Sequence, residues 1–252
     1  LNVNGIFEGR FSLILTNPPF GASVEPSDIV LESEIAVAPE DQARYAEAYG
    51  RPYLEAQERL EAARGDPIAT LFKLPKTANS RIKTEVLFME RCLDLLQPGG
   101  QLGIVLPDGV LNAPSLTYVR DFCEDRAFLK AVVSLPVGAF VAAGATVKTS
   151  LVFMRKFSDD EQRAYDTVAQ QSRIRATREA REARADELAE LDLAITLAEN
   201  ADNRAATRDA RRDMRRLEKE IEDQASDLAR RLTRETFDYD VFLYEAERVG
   251  IT

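Results

Sequence analysis

The sequence predicts an α/β fold with a mostly parallel sheet, joined to a long and highly charged α-helical hairpin. Four short aliphatic and β-branched runs alternate with two amphipathic helical patterns. Residues 159–235 contain no proline or glycine but 16 basic and 20 acidic residues, which is typical of solvated helices. With 252 residues, 45% of them hydrophobic, the chain is long enough to bury a core around such a sheet.

The alternating region gives the elements of the sheet in order. Buried strands are predicted at residues 11–16, 101–106, 129–135 and 149–155. A helix at 83–96 has apolar residues at helical spacing and stops at a Gln-Pro-Gly-Gly sequence, and a second helix at 115–126 has Ser115 as its expected cap. The order strand, helix, strand, helix, strand, strand predicts a parallel sheet whose last two strands pair antiparallel through a loop at 138–144.

Two segments depart from this alternation. Residues 22–82 contain a charged, alanine-rich helical stretch at 39–64 and a proline-containing loop, and are interpreted as a helical insertion over one rim of the sheet. In the charged region, leucine and isoleucine recur at spacings of three and four on either side of 199–204, which predicts two antiparallel helices with a tip near 200–203. The expected regions are therefore an α/β domain at 1–157, the hairpin at 158–235 and a C-terminal segment at 236–252, which is expected to lead into a region missing from this sequence.

The composition excludes several kinds of chemistry. The chain has no histidine, so Ser-His-Asp and Cys-His catalysis and imidazole metal ligands are excluded, and no metal site is predicted. Cys92 and Cys123 are expected to be buried free thiols of a reducing compartment. No apolar run approaches the roughly 20 residues that cross a bilayer, and the start lacks a secretion signal, which predicts a cytoplasmic protein.

The sharpest motif is Asn17-Pro18-Pro19-Phe20, which follows the first predicted strand. Ligands of open α/β sheets gather at the carboxyl ends of strands. Two prolines stiffen the loop, and because they cannot continue a β-strand, its carbonyl groups are not expected to hydrogen-bond to a neighbouring strand. The Asn17 side-chain oxygen and the Pro18 carbonyl can accept both hydrogens of an exocyclic amino group, while Phe20 can stack on a planar base. The motif predicts a holder for a flipped nucleobase.

With these residues the sequence resembles amino-group DNA methyltransferases that use S-adenosylmethionine, in particular the modification subunits of type I restriction systems, which belong to the N6-adenine family. Residues 83–109 (KTEVLFMERCLDLLQPGGQLGIVLPDG) look like the stretch that follows the catalytic loop in that group. Residues 133–153 look like its later core strands and target-base loop, and 237–252 are more weakly similar. The resemblance covers about residues 11–156.

The resemblance implies the rear half of a doubly wound, Rossmann-like methyltransferase sheet, and methyl transfer from S-adenosylmethionine to the amino group of adenine in DNA, within a restriction-modification or related defence system. Asn17 and Pro18 would bind the amino group, Pro19 would shape the loop and Phe20 would stack on adenine. Lys148 and Thr149 lie where the family's loop closes near the base. The implied partners are DNA, a DNA-specificity subunit and a restriction subunit, with the hairpin at 186–231 as a candidate protein contact.

The sequence departs from this family at the cofactor site. The glycine-containing turn that binds S-adenosylmethionine after the family's first strand is absent, and so is the acidic residue that holds the ribose. The main cofactor site is therefore expected upstream of Leu1, and the chain by itself is expected to be catalytically incomplete. The strand at 11–16 would then present an unpaired edge.

Other interpretations remain open from the sequence. Similar Asn-Pro-Pro-aromatic loops serve methyltransferases that act on cytosine N4, RNA guanine or protein glutamine, and the chain could instead be a non-catalytic assembly module that works through its hairpin. A dense arginine run at 204–216 could contact DNA phosphates. Acidic residues interleave with it at helical spacing, which favours a solvated, salt-bridged surface.

Overall fold

The computed structural model describes residues 8–75, 80–140 and 147–248. They form two compact units. One takes in the described residues up to Asp159 and those from Asp240 onward, and the other is Asp160–Tyr239. The predicted loop at 138–144 lies partly outside the described residues.

The first unit is built on a five-stranded sheet in the order β1-β4-β6-β5-β7. Strand β6 is antiparallel to both β4 and β5, while β1 pairs parallel with β4, and β5 with β7. The predicted α/β class and the antiparallel pairing of the last two predicted strands are confirmed. The strands are β1 Phe11–Thr16, β4 Leu96–Pro107, β5 Ala127–Ser134, β6 Thr149–Lys156 and β7 Phe242–Glu245, with the short pair β2 Ser23–Val24 and β3 Ile82–Lys83 outside the sheet.

The described residues of this unit form six helices: α1 Glu32–Ile35, α2 Pro39–Tyr49, α3 Arg51–Ala62, α4 Thr84–Leu95, α5 Asp108–Asn112 and α6 Thr117–Glu124. Helices α4 and α6 contribute to one continuous core with the sheet, which includes Val86, Leu93, Val119, Leu102 and Ile104, all nearly or fully buried. The apolar stripe that predicted α4 therefore does cover the sheet, because side chains three and four apart share one helix face.

The prediction that β1 is a buried strand is wrong. Ile14 packs against the core, but Leu13 and Leu15 are 54% and 70% exposed. Successive strand residues point to opposite faces, so the odd-numbered side chains of β1 lie on the face opposite to Ile14 and away from that core. An aliphatic run does not by itself distinguish a strand covered on both faces from one covered on a single face.

Several element boundaries also differ from the predictions. The helical stretch at 39–64 is broken at Gly50, which has φ 62° and separates α2 from α3. Ser115 is not a helix cap: it lies in a single 3-10 turn, and no side chain caps α6. Strand β4 begins at Leu96, directly after α4. Strand β7 was not predicted, because its four residues are all exposed.

The second unit contains three helices, α7 Asp159–Ala183, α8 Ala185–Asn200 and α9 Arg204–Thr236, where the sequence predicted two. The turn between α8 and α9 ends at Asn203, whose side-chain oxygen accepts a 3.1 Å hydrogen bond from the Ala206 amide and caps α9. Leu217 and Ile221 of α9 pack with Leu188 and Leu191 of α8. Among the described residues, no helix is both long and apolar enough to cross a membrane.

Candidate functional site

The Asn-Pro-Pro-Phe loop leaves the carboxyl end of β1. Asn17 and Pro19 are exposed, Pro18 is buried and Phe20 is half-buried. Strand β4 is parallel to β1, so Asp108, which follows β4, lies at the same edge of the sheet. The sequence folds this way because the two prolines, which cannot donate to a ladder, stop β1 while its neighbour continues.

Residues at the beginning of α4 hydrogen-bond to the loop at residues 19–22. The Thr84 hydroxyl donates a 2.9 Å hydrogen bond to the Pro19 carbonyl, and the Thr84 amide donates one of 3.1 Å to the Ala22 carbonyl. The Lys83 ammonium group lies 3.3 Å from the Gly21 carbonyl oxygen. Three loop carbonyls are therefore already occupied by donors from the protein, which fixes the loop against the helix.

Two acceptors of the loop have no such partner. In the part of the chain that the structure describes, neither the Asn17 side chain nor the Pro18 carbonyl makes a hydrogen bond. They are adjacent along the chain and belong to a segment that is anchored just beyond them by Thr84. An amino group with two hydrogens needs two acceptors close together. This pair can supply them without first breaking an internal hydrogen bond.

An aromatic pair lies beside these acceptors. The rings of Phe20 and Phe140 have centroids 6.5 Å apart and are nearly perpendicular, at 89°. Phe140 follows β5 and therefore comes from a distant part of the sequence. Edge-to-face contact of this kind is energetically favourable. The sequence motif singled out Phe20 but not Phe140, whose only signal was its position in the loop after a predicted strand.

The start of β6 supplies the other predicted residues. Thr149 is only 1% exposed, so its side chain is closed to solvent, while Lys148 forms an ion pair of 3.3 Å with Glu245 at the end of β7. Ser150, also buried, donates a 2.9 Å hydrogen bond to the Asp108 carboxylate. These contacts tie the start of β6 to the ends of β4 and β7. Neither Glu245 nor Ser150 was predicted from the sequence as a site residue.

Among the described residues, no glycine-rich turn of the kind that binds a nucleotide follows a strand of the sheet. The described parallel strands β1, β4, β5 and β7 are followed by Asn-Pro-Pro-Phe, Asp-Gly-Val-Leu, Leu-Pro-Val-Gly and Ala-Glu-Arg. None of these sequences is a glycine-rich turn that leads into a helix. Within the same ranges, no group of three or more acidic or thiol side chains is placed to hold a metal ion.

Comparison with known proteins gives the family. The model of the N-6 DNA methylase family matches residues 65–207, which is more than half of the chain and begins after the Asn-Pro-Pro-Phe loop. The EcoKI methylase subunit of the type I restriction enzyme from Escherichia coli K12 is 34% identical over 96 residues, which are 38% of this chain and 17% of that protein. The type II methyltransferase M.XhoI of Xanthomonas vasicola is 38% identical over 74 residues, covering 24% of this chain and 14% of that protein.

Among solved structures, the crystal structure of the EcoKI M protein is similar with a TM-score of 0.34 and 24% identity, covering 60% of this chain and 22% of that one. The aligned regions are a small part of each of these relatives. The length of the family match is what decides the assignment, and it agrees with the resemblance seen in the sequence: the chain belongs to the N-6 DNA methylase family.

Proposed function

We propose that this chain carries the base-binding part of an adenine-specific DNA methyltransferase, which transfers a methyl group from S-adenosylmethionine to the exocyclic amino group of adenine in a restriction-modification or related defence system. The family match and the names of the relatives support this class of activity. The observation that carries the proposal is the pair of unoccupied acceptors, Asn17 and Pro18, on an anchored loop at the end of a strand.

The chemistry of the substrate explains why these groups suffice. The lone pair of an aromatic amine is delocalised into the ring, so the nitrogen is a poor nucleophile. Two acceptors that bind its hydrogens in a tetrahedral arrangement localise the lone pair and stabilise the positive charge that develops on nitrogen. A preorganised group of this kind contributes on the order of 3 kcal/mol. S-adenosylmethionine supplies the methyl group when it is bound, while Asn17 and Pro18 act only on the amine that receives it.

Phe20 and Phe140 complete the proposed base site. A base turned out of a duplex loses its stacking neighbours, and aromatic side chains replace them. The rings of Phe20 and Phe140 already pack against each other at the strand ends, so they offer apolar surface to a planar base before it binds. Lys148 and Thr149 are proposed to lie near the base, with Lys148 oriented through Glu245.

The proposed organisation assigns assembly to the second unit. The hairpin at 186–231 is proposed to contact a DNA-specificity subunit, and a restriction subunit is proposed to join the complex. Leu193 and Leu197 support a protein contact, because they lie one helical turn apart on α8 and are 59% and 60% exposed. Because its proposed substrate is DNA, the protein is proposed to act in the cytoplasm.

Methylation in a host that expresses the whole modification system tests the proposal. Asn17→Ala should lower the N6-methyladenine content of host DNA about a hundredfold or more, because one of the two acceptors is lost. Gln42→Ala, which removes an exposed side-chain amide from α2, is the matched control and should have no effect. Full methylation by Asn17→Ala would overturn the assignment.

The same experiment separates the alternatives. Mass spectrometry of digested nucleic acid and protein distinguishes N6-methyladenine from N4-methylcytosine, methylguanine in RNA and methylglutamine. Loss of partner binding on deletion of residues 186–231, with no modified base in any host that expresses the system, would favour the assembly module.

A further inference from the structure

The turn between α8 and α9 borders a depression of about 450 Å³ whose lining is dominated by arginine. It lies entirely within the second unit. Four arginines of α9 contribute, together with two acidic residues near the end of α8 and in the turn. The lining residues are Glu199, Asp202, Arg204, Thr207, Arg208, Arg211 and Arg215.

The four arginines form a straight stripe along α9. Their spacings of four, three and four residues place them within a narrow arc of the helix, since 3.6 residues complete a turn. At a rise of 1.5 Å per residue, the stripe from Arg204 to Arg215 is about 16 Å long. We call these four residues, Arg204, Arg208, Arg211 and Arg215, the arginine stripe.

Ion pairing divides the arginines of this helix into two groups. Arg212 and Arg216, which lie off the stripe, both approach Asp213, at 3.8 Å and 3.5 Å. On the stripe, Arg211 pairs with Glu199 at 2.7 Å. Arg204, Arg208 and Arg215 make no ion pair in the described part of the chain. The interleaved acids that suggested a salt-bridged surface therefore neutralise mainly the arginines outside the stripe.

A stripe with three unpaired arginines has an energetic cost in the free protein. Like charges four residues apart on a helix repel each other by about 0.2–0.5 kcal/mol, and the stripe contains two such pairs, Arg204 with Arg208 and Arg211 with Arg215. A polyanion that binds along the stripe would remove this repulsion. Nothing in the apolar packing of the hairpin requires arginine at these positions, because the packed residues of α9 are Leu217, Ile221 and Ala225.

We propose that the arginine stripe binds the phosphate backbone of DNA. Arginine presents a planar fork of donors that matches phosphate, and every basic residue of the stripe is arginine. A strand of duplex DNA rises about 3.4 Å per nucleotide along the duplex axis while it winds around that axis, so a straight stripe of this length can reach a few consecutive phosphates of one strand. The choice of DNA over an acidic protein rests on the proposed function, whose substrate is DNA. The contact is independent of sequence, because it involves no base edges.

Binding of the full chain to a fluorescently labelled DNA duplex tests this inference. Arg204→Gln, Arg208→Gln and Arg215→Gln are combined in one variant. The control combines Arg212→Gln, Arg216→Gln and Arg231→Gln, which removes the same charge from ion-paired positions outside the stripe. Fluorescence anisotropy is measured at several salt concentrations, and circular dichroism verifies that both variants keep their helices.

The stripe variant should bind at least about tenfold more weakly at low salt, and the slope of log K against log salt should be smaller by about 3, one unit per lost phosphate contact. The control should stay close to the wild type. Equal losses in both variants would overturn the inference, because they would reflect net charge alone. Absence of DNA binding by the wild type, or binding of polyglutamate in preference to DNA, would also overturn it.

Failure of the proposed function is distinguishable from failure of this inference. Asn17→Ala should bind the duplex as the wild type does, with the same salt slope, whatever happens to methylation. If that variant still methylates host DNA, the proposed catalytic loop is refuted. The conclusion about DNA binding by the arginine stripe would not be affected.

Discussion

The hydroxyl group of Thr84 donates a 2.9 Å hydrogen bond to the carbonyl oxygen of Pro19, 65 residues earlier in the chain. Thr84 is the first residue of α4, and Pro19 is the third residue of the Asn-Pro-Pro-Phe loop. The bond therefore ties the candidate catalytic loop to a helix that is itself packed on the sheet. It orients the loop without using the two acceptors proposed for the base.

Thr84→Val keeps the shape of the side chain but removes this donor. We expect the free energy of unfolding to fall by about 1 kcal/mol, as for an ordinary hydrogen bond, and methylation to fall more than this loss of folded protein explains. Urea denaturation and the N6-methyladenine content of host DNA measure the two effects. Thr84→Ser keeps the hydroxyl and should restore methylation. Equal methylation by the valine and serine variants would contradict a positioning role.

Phe140→Ala removes the ring that packs against Phe20. Stacking of a base on an aromatic ring contributes about 1–3 kcal/mol, so we expect methylation to fall about tenfold. Phe140→Tyr keeps the aromatic face and should retain most activity. Phe88→Ala is a suitable control, because Phe88 is a partly exposed ring on α4. Nucleoside mass spectrometry measures the outcome, and an equal effect of both alanine variants would argue against a base site at Phe140.

Glu90 anchors the insertion that lies between β2 and β3. Its buried carboxylate accepts hydrogen bonds of 2.6 Å from the Lys73 amide and 2.8 Å from the Leu74 amide. Glu90→Ala leaves both amides without an acceptor and should lower the free energy of unfolding by about 2–5 kcal/mol. Glu58→Ala, on an exposed surface of α3, should change it by less than about 0.5 kcal/mol. Urea denaturation compares the two variants, and similar values would refute the anchor.

Burial raises the pKa of the Glu90 carboxyl group, although its two backbone hydrogen bonds act in the opposite direction. The folded protein therefore keeps this proton at pH values where the unfolded chain has lost it. Stability contributed by the group is complete below its unfolded pKa and declines as the pH rises through the folded pKa. We expect Glu90→Gln to remove this decline in urea denaturation above about pH 4.5. A steeper decline in the glutamine variant would contradict this assignment.

The two cysteines are free and buried, as the sequence predicted. Burial raises the pKa of the Cys92 thiol to about 11 and that of the Cys123 thiol to about 12. Because the thiolate is the reactive form, neither residue should be alkylated by iodoacetamide in the native protein at pH 8, and both should react in urea. Asn200→Cys provides an exposed thiol that should react in the native state. Mass spectrometry of the intact protein counts the labels, and rapid native labelling of the wild type would contradict the packing.

Local sequence patterns were sufficient to predict an element when the pattern depends only on residues within that element. The apolar stripe of α4 predicted a helix that begins and ends within one residue of its observed limits, because helical spacing is a property of consecutive residues. The same reasoning failed for β1, whose aliphatic run describes a strand but not how many of its faces are covered. It also missed β7, since a short exposed strand becomes recognisable only when β5 lies beside it.

The sequence by itself determined the chemistry available to this protein: no histidine, two buried thiols, a stiff Asn-Pro-Pro-Phe loop after a strand and a charged helical region. Tertiary structure decided which groups meet. Thr84 contacts Pro19, and Phe140 contacts Phe20, only because the sheet brings distant segments of the chain to one edge. Hydrogen bonds and ring contacts depend on distances of a few ångströms in space and not on separation along the chain. Which arginines of α9 form ion pairs also depends on the distance between charged atoms in the folded protein. The interleaved charges in the sequence do not reveal it.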